Sequence, residues 1–194
     1  DLVVITNETI PQSGMLWVNA DGLQMTGCTA DRTLIISQAS QRAARPNVIR
    51  QCQFSLQEDG APVVQSNVTA AITFTDTVFN DINGHSFDST APVNFVRCTF
   101  NATTEFAPLT LKSSTLSVQA SQFNQVGFTL SGTAPKQIDI LSSTLTQATF
   151  DFTDVAAQPA SSLMFLNNRL SGSTVIAQPP AGDRVIWQQN MILA

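Results

Sequence analysis

One short pattern returns along the whole chain and limits what it can become. An apolar residue, any residue and a second apolar residue are followed by two more positions, a small residue, one position and a third apolar residue. It is clearest as Ile72, Phe74, Thr77 and Phe79, and again as Val93, Phe95, Cys98 and Phe100. It continues through Leu116/Val118/Ser121/Phe123, Ile138/Ile140/Ser143/Leu145, Leu163/Phe165/Asn168/Leu170 and Val185/Trp187/Asn190/Ile192. Towards the start it gives Asn47/Ile49/Cys52/Phe54, Leu23/Met25/Cys28/Ala30 and, more loosely, Leu2/Val4/Asn7/Thr9. The small residue thus recurs at spacings of 21–25 residues, a solenoid period.

The first two apolar slots alternate with other positions, as in a strand with one buried face. The small residue marks a turn, after which the alternation resumes with an inward Phe, Leu or Ile. A further short strand follows in most repeats, as around Phe128 and Leu130 or Phe150 and Phe152. Such a unit cannot bury its apolar side alone. Copies stacked at about 4.8 Å share one core and pair strand on strand in parallel. Parallel crossovers are almost always right-handed. The expected fold is therefore all-β: a single-stranded, right-handed parallel β-helix of about nine coils, one domain over residues 1–194.

The pattern resembles that of the right-handed parallel β-helix superfamily, whose members include pectate-lyase-like enzymes, phage tailspikes and secreted adhesins. The resemblance implies a stacked ladder at the small position. Here that column reads Asn7, Cys28, Cys52, Thr77, Cys98, Ser121, Ser143, Asn168 and Asn190. It implies a fold and leaves function open. Polygalacturonases of this fold carry Asn-Thr-Asp, paired aspartates and Gly-His-Gly, and only Gly84-His85 stands here.

Composition narrows the partners. Charged residues are 12% of the 194 positions and the net charge is −5, which disfavours nucleic acid and anionic membranes. No apolar run has the length of a membrane span. The chain starts at Asp1 without Met or a leader, so it reads as a trimmed product. The repeat runs almost from end to end with no capping helix, so a fragment of a longer protein, or ends covered by a partner, is expected. The connections over 31–46, 55–67, 80–91 and 151–161 are the most irregular and are the places to look for functional groups.

Three cysteines share the ladder column. Cys28 and Cys52 fall on neighbouring coils within disulfide reach, but in-register stacking does not favour the required dihedral. Buried, reduced thiols are expected. No metal site and no cofactor is expected, since the one histidine, His85, lies on another turn. The sequence assigns no catalytic residue. The nearest approach to a catalytic set is Asp76, Asp81, His85 and Asp88, with Glu58 and Asp59 on the preceding loop. Carboxylates in pairs can cleave glycosidic bonds, but Asn83-Gly84 is also a plain turn signal. Asp76 and Arg97 share an outward column on adjacent coils and should pair. Arg42, Arg45 and Arg50 form the single basic group, read as a solvated loop.

Outward slots are polar in the early coils and turn apolar later, at Leu141, Met164, Leu166 and Ile186. These four should adjoin on one strand face, a candidate interface with a protein partner or the rest of the parent chain. A loop over 151–160 folding across the face is the alternative. The functional expectation is a non-enzymatic extracellular rod, a segment of an adhesin, autotransporter-like or phage-fibre protein, secreted or at the cell surface and in contact with surfaces or glycans. A polysaccharide lyase or hydrolase on acidic glycans, and an effector scaffold, are the alternatives.

Overall fold

The computed structural model describes residues 1–10, 16–31, 33–37, 45–55, 62–82, 84–102, 109–112, 115–130, 137–151, 162–176 and 184–193. Among them every regular element is a short strand, and every strand pairing is parallel. The strands form three sheets of nine, nine and eight, with each strand paired to its counterparts one repeat earlier and later. The chain is thus an all-β parallel solenoid, a three-sided prism wound from successive repeats. The first sheet runs from Leu2–Thr6 to Arg184–Gln188, the second from Thr9–Ile10 to Met191–Leu193, and the third from Leu16–Asn19 to Thr174–Ile176.

The apolar slots face inward as the alternation requires. Phe95, Phe100, Phe123 and Phe165 are fully buried. Identical slots of stacked coils coincide, so aromatic rings stack along the axis. Phe54, Phe79, Phe100 and Phe123 form one column in the second sheet, with successive ring centroids 5.4, 4.9 and 4.6 Å apart. Phe74 and Phe95 stack likewise in the first sheet at 5.2 Å, and Phe87 meets Phe74, Phe79 and Phe95 edge-on from the third. Rings stacked within a sheet and crossed between sheets are the preferred aromatic geometries.

The corner from the first to the second sheet has one design throughout. One residue per coil takes the left-handed conformation: Asn7, Gly27, Gln51, Asp76, Arg97, Ala120, Ser142, Asn167 and Gln189. Its N–H donates to a carbonyl of the next coil, as from Asp76 to Val96 at 3.0 Å and from Arg97 to Gln119 at 2.9 Å. The residue after it turns inward. Its own N–H is met by the side chain beneath it in the stack: Cys98 by Ser121 Oγ (3.0 Å), Ser121 by Ser143 Oγ (3.2 Å), Ser143 by Asn168 Oδ1 (2.9 Å) and Asn168 by Asn190 Oδ1 (3.0 Å). The small polar column therefore satisfies a buried backbone donor at Cys28, Cys98, Ser121, Ser143 and Asn168, which would otherwise be costly.

The first coil departs from the sequence reading by one residue. Val3 and Ile5 pair with Leu23 and Met25 and pack against the core, while Leu2 and Val4 are exposed. Asn7 is the left-handed residue, not the ladder residue, and Glu8 stands in the ladder place, its carbonyl accepting from Thr29 as that of Cys28 accepts from Gln53. Side chains alternate with period two, so a slip of one exchanges the faces. The all-apolar run Leu2-Val3-Val4-Ile5 fits either register, which is why the pattern misplaced it. The same turn fixes Gly27: with φ +67°, it would drive a Cβ into Asn7 Oδ1.

Three of the four irregular connections each contain a strand of the third sheet: Leu34–Ser37, Pro62–Ser66 and Ser86–Ser89. The loop over 151–160 lies largely outside the described residues, as do Glu58, Asp59, Arg42, Asn83 and Phe152.

The stack predicts two separable losses. Phe100→Ala removes the ring between Phe79 and Phe123 and should cost about 3–5 kcal/mol. Asn168→Ala leaves the Ser143 N–H without its acceptor and should cost about 1–3 kcal/mol. Denaturant unfolding reads both, and an unchanged midpoint for either would contradict its assigned place.

Candidate functional site

The groups that suggested hydrolysis sit at different corners and on different strands. Asp76 sits at the corner before the strand Val78–Asn80, and Asp81 at the corner after it. Arg97 donates two hydrogen bonds to the Asp76 carboxylate, at 2.6 and 2.8 Å. Those bonds hold the Asp76 carboxyl below its usual range, so it cannot serve as an acid near neutrality. This is the pair the outward columns anticipated. His85 is only 3% exposed, and its N–H closes a turn onto the Ile82 carbonyl at 3.2 Å. A buried imidazole is withdrawn from any substrate on the surface. Asp88 stands on the outer face of the third sheet, between Gln65 and Lys112 in register.

The apolar four do adjoin. Leu141 is paired in register with Leu166, and Met164 with Ile186, on the outer face of the first sheet. All four are half-buried. Asp139 is in register with Met164, and its Oδ1 is buried without a partner, while Oδ2 accepts from Gln137 at 2.6 Å.

Among the described residues, two grooves mark the outer surface of the third sheet. One, of about 610 Å³, lies at its corner with the second sheet, between Gln125, Gln147, Thr149 and Asp151. The Gln125 amide donates to Gln147 Oε1 at 3.0 Å, so part of its polar wall is already engaged. The other, of about 350 Å³, is lined by Trp17, Ile35, Ser37, Gln65, Asn67 and Asp88. Trp17 is 70% exposed, although its alternation partner Val18 is buried. Its indole N–H donates to Ser37 Oγ at 2.9 Å, and that hydroxyl donates in turn to the Val18 carbonyl at 3.4 Å. One edge of the ring is therefore tied down. Sequence reasoning missed this groove because the repeat was defined on the first two sheets. The available signal was a Trp in the outward slot next to the inward Val18.

Comparison with known protein families, with curated proteins and with solved structures finds no match.

The three cysteines are the remaining groups with chemical potential. All are free and buried. Burial pushes the thiols of Cys52 and Cys98 up to about 11, which removes the thiolate that a nucleophile or metal ligand needs. Among the described residues no three His, Cys, Asp or Glu side chains gather as a metal site would require. Two outcomes follow. All three thiols should resist a disulfide reagent at pH 8 until the chain unfolds. The folded chain retains protons on Cys52 and Cys98 that the unfolded chain releases above its ordinary value of 9.0. Stability should therefore fall as pH rises from 9 towards 11. Cys52→Ser with Cys98→Ser should flatten that slope in thermal melts.

Proposed function

We propose that the chain is a non-enzymatic extracellular rod that contacts surfaces or glycans, of the kind found in adhesins, autotransporter-like passengers and phage fibres. It is secreted or displayed at the cell surface, and its affinities of sequence pattern lie with the pectate-lyase-like β-helices. The observation that carries the reading is the dispersal of the acid and imidazole groups. Asp76 is tied to Arg97, Asp81 stands at another corner, His85 is buried, and Asp88 lies on the outer face of the third sheet. What supports contact rather than catalysis is the shape of the rest. Flat outer faces repeat at every coil, polar over most of their length, with an aromatic groove on one and an apolar quartet on another.

The apolar quartet serves a protein partner, either another subunit or another part of the parent chain. The four side chains are half-buried and adjoin on an outer face, and contiguous apolar surface of that kind generally marks a contact. Immobilised glycan panels and reducing-end assays test the reading together. The rod retains one or more glycans and releases no new reducing ends or unsaturated products from neutral or acidic polysaccharides. Depolymerisation at any enzyme-like rate would contradict it and favour a lyase or hydrolase. Leu141→Ser with Leu166→Ser should abolish self-association in sedimentation while leaving the fold intact. A monomer before and after the change would remove the quartet from the account.

A further inference from the structure

We propose that Asn67 is the acceptor of an N-linked oligosaccharide whose first sugars lie back over the Trp17 groove. The inference rests on the extracellular placement proposed above, and it gives the aromatic groove an occupant carried by the chain itself. Asn-x-Ser/Thr without proline at x is the acceptor sequence for such transfer in secreted proteins. The chain holds it three times, beginning at Asn7, Asn67 and Asn101, and the motif alone does not choose among them. The fold does.

Asn101 is engaged on both sides of its row, donating to Asn80 Oδ1 at 2.9 Å and accepting from Asn124 at 2.8 Å. Asn7 occupies the left-handed corner of the first coil, and its Oδ1 packs on Gly27. Asn67 differs. It follows the strand Pro62–Ser66, it is exposed, and its side-chain amide makes no hydrogen bond among the described residues. Val68 beside it is buried, its N–H donating to Ser66 Oγ at 3.4 Å and its carbonyl accepting from Thr90 Oγ1 at 3.1 Å. Asn67 and Thr69 flank that anchor and are both exposed, so the acceptor amide and the required hydroxyl stand on the open side of a fixed turn. In the transfer the amide nitrogen attacks the anomeric carbon of an oligosaccharide linked to a lipid pyrophosphate. A C–N bond forms as the C–O bond to pyrophosphate breaks. The lipid pyrophosphate leaves, and the amide nitrogen gives up one proton.

The surroundings of Asn67 give the first sugars a seat. The groove of about 350 Å³ that Asn67 lines also holds Gln65, Ile35 and Trp17. Those three are register partners on successive coils. Asn67, two residues past Gln65, therefore stands two coil steps from Trp17, on the order of 10 Å along the axis. The first few sugars of an attached chain reach that far. Trp17 is 70% exposed, with one ring edge held by Ser37, and the apolar C–H faces of sugar rings stack on such an aromatic plane. Attachment makes the contact intramolecular, so it forms without any free ligand of high affinity.

The test fuses the whole chain to a secretory leader in a eukaryotic host that attaches N-glycans. Glycopeptide mass spectrometry reads each acceptor, and tryptophan emission reads the groove. W187F leaves Trp17 as the sole indole, since the chain has two Trp. Asn67 should be occupied in most molecules. Asn67→Gln and Thr69→Ala should each lose that glycan, and Thr69→Ser should keep it. Relative to the N67Q chain, Trp17 in the glycosylated chain should emit further to the blue and resist acrylamide quenching. A bare Asn67 in the folded product, or occupancy at Asn101 equal to that at Asn67, overturns the site. The extracellular-rod reading survives that result and stands or falls on the panel experiment. An occupied Asn67 with Trp17 emission and quenching unchanged from the N67Q chain overturns the seat in the groove.

Discussion

The structure depends on how one corner handles its backbone. Between the first and second sheets each coil turns through a single left-handed residue, a conformation that costs a non-glycine residue about 1–2 kcal/mol. The turn leaves one N–H per coil pointing inward, away from water. The ladder side chain of the next coil accepts it, and its own hydroxyl or thiol donates to a carbonyl two residues back, as Ser143 Oγ does to Leu141 at 2.9 Å and Cys52 Sγ to Arg50 at 3.1 Å. That double role explains why Asn, Ser, Thr and Cys share one column. Each is short, and each both accepts and donates. Near the C-terminal end Asn168 goes further, its amide donating to Ile140 at 2.8 Å and to Asn190 at 3.0 Å.

Because every coil repeats the corner, the inward slots fall into register and the phenylalanine columns follow. The outer faces inherit the same register. Asn80, Asn101 and Asn124 join side chain to side chain at 2.9 and 2.8 Å, an amide row the core does not require. A second corner, between the second and third sheets, repeats the device on a smaller scale, where Ala148 N–H is met by Ser173 Oγ at 3.0 Å. Surface groups are thus presented as rigid rows of about one residue per coil. Such rows suit recognition of extended ligands better than convergence of catalytic groups on a point.

The parts of this architecture that repeat were legible in the sequence, and the parts that occur once were not. The buried Phe95, Phe100, Phe123 and Phe165, the thiol ladder and the Asp76–Arg97 pair all follow from the period. Coil one was misread because Leu2 to Ile5 are all apolar, so that hydrophobicity could not choose between two registers. The third sheet was only partly visible: Leu34–Ser37 and Pro62–Ser66 sit at variable distances from the motif, after connections of unequal length. Asn47 is a polar residue in an apolar slot, yet it is buried and its Oδ1 accepts the Leu23 N–H at 3.1 Å. Trp17 carried no periodic signal. Its neighbours come from the next coil, where Ile35 is its register partner and Ser37 accepts its indole N–H.

The central claim is that consecutive repeats stack in register along one axis. Spin-label distances along a single outward column test it directly. Gln24, Val48, Thr73, Asn94, Ser117 and Asp139 are successive partners in the first sheet, followed by Met164 and Ile186. Labels placed at Gln24 with Asp139, and at Gln24 with Ile186, are separated by five and seven coil steps in that register. At about 4.8 Å per step the account predicts narrow distributions near roughly 24 and 34 Å between backbones. The buried native thiols should stay unlabelled in the folded chain. Broad distributions, or two distances that fail to differ by about two coil steps, would contradict the stacked solenoid.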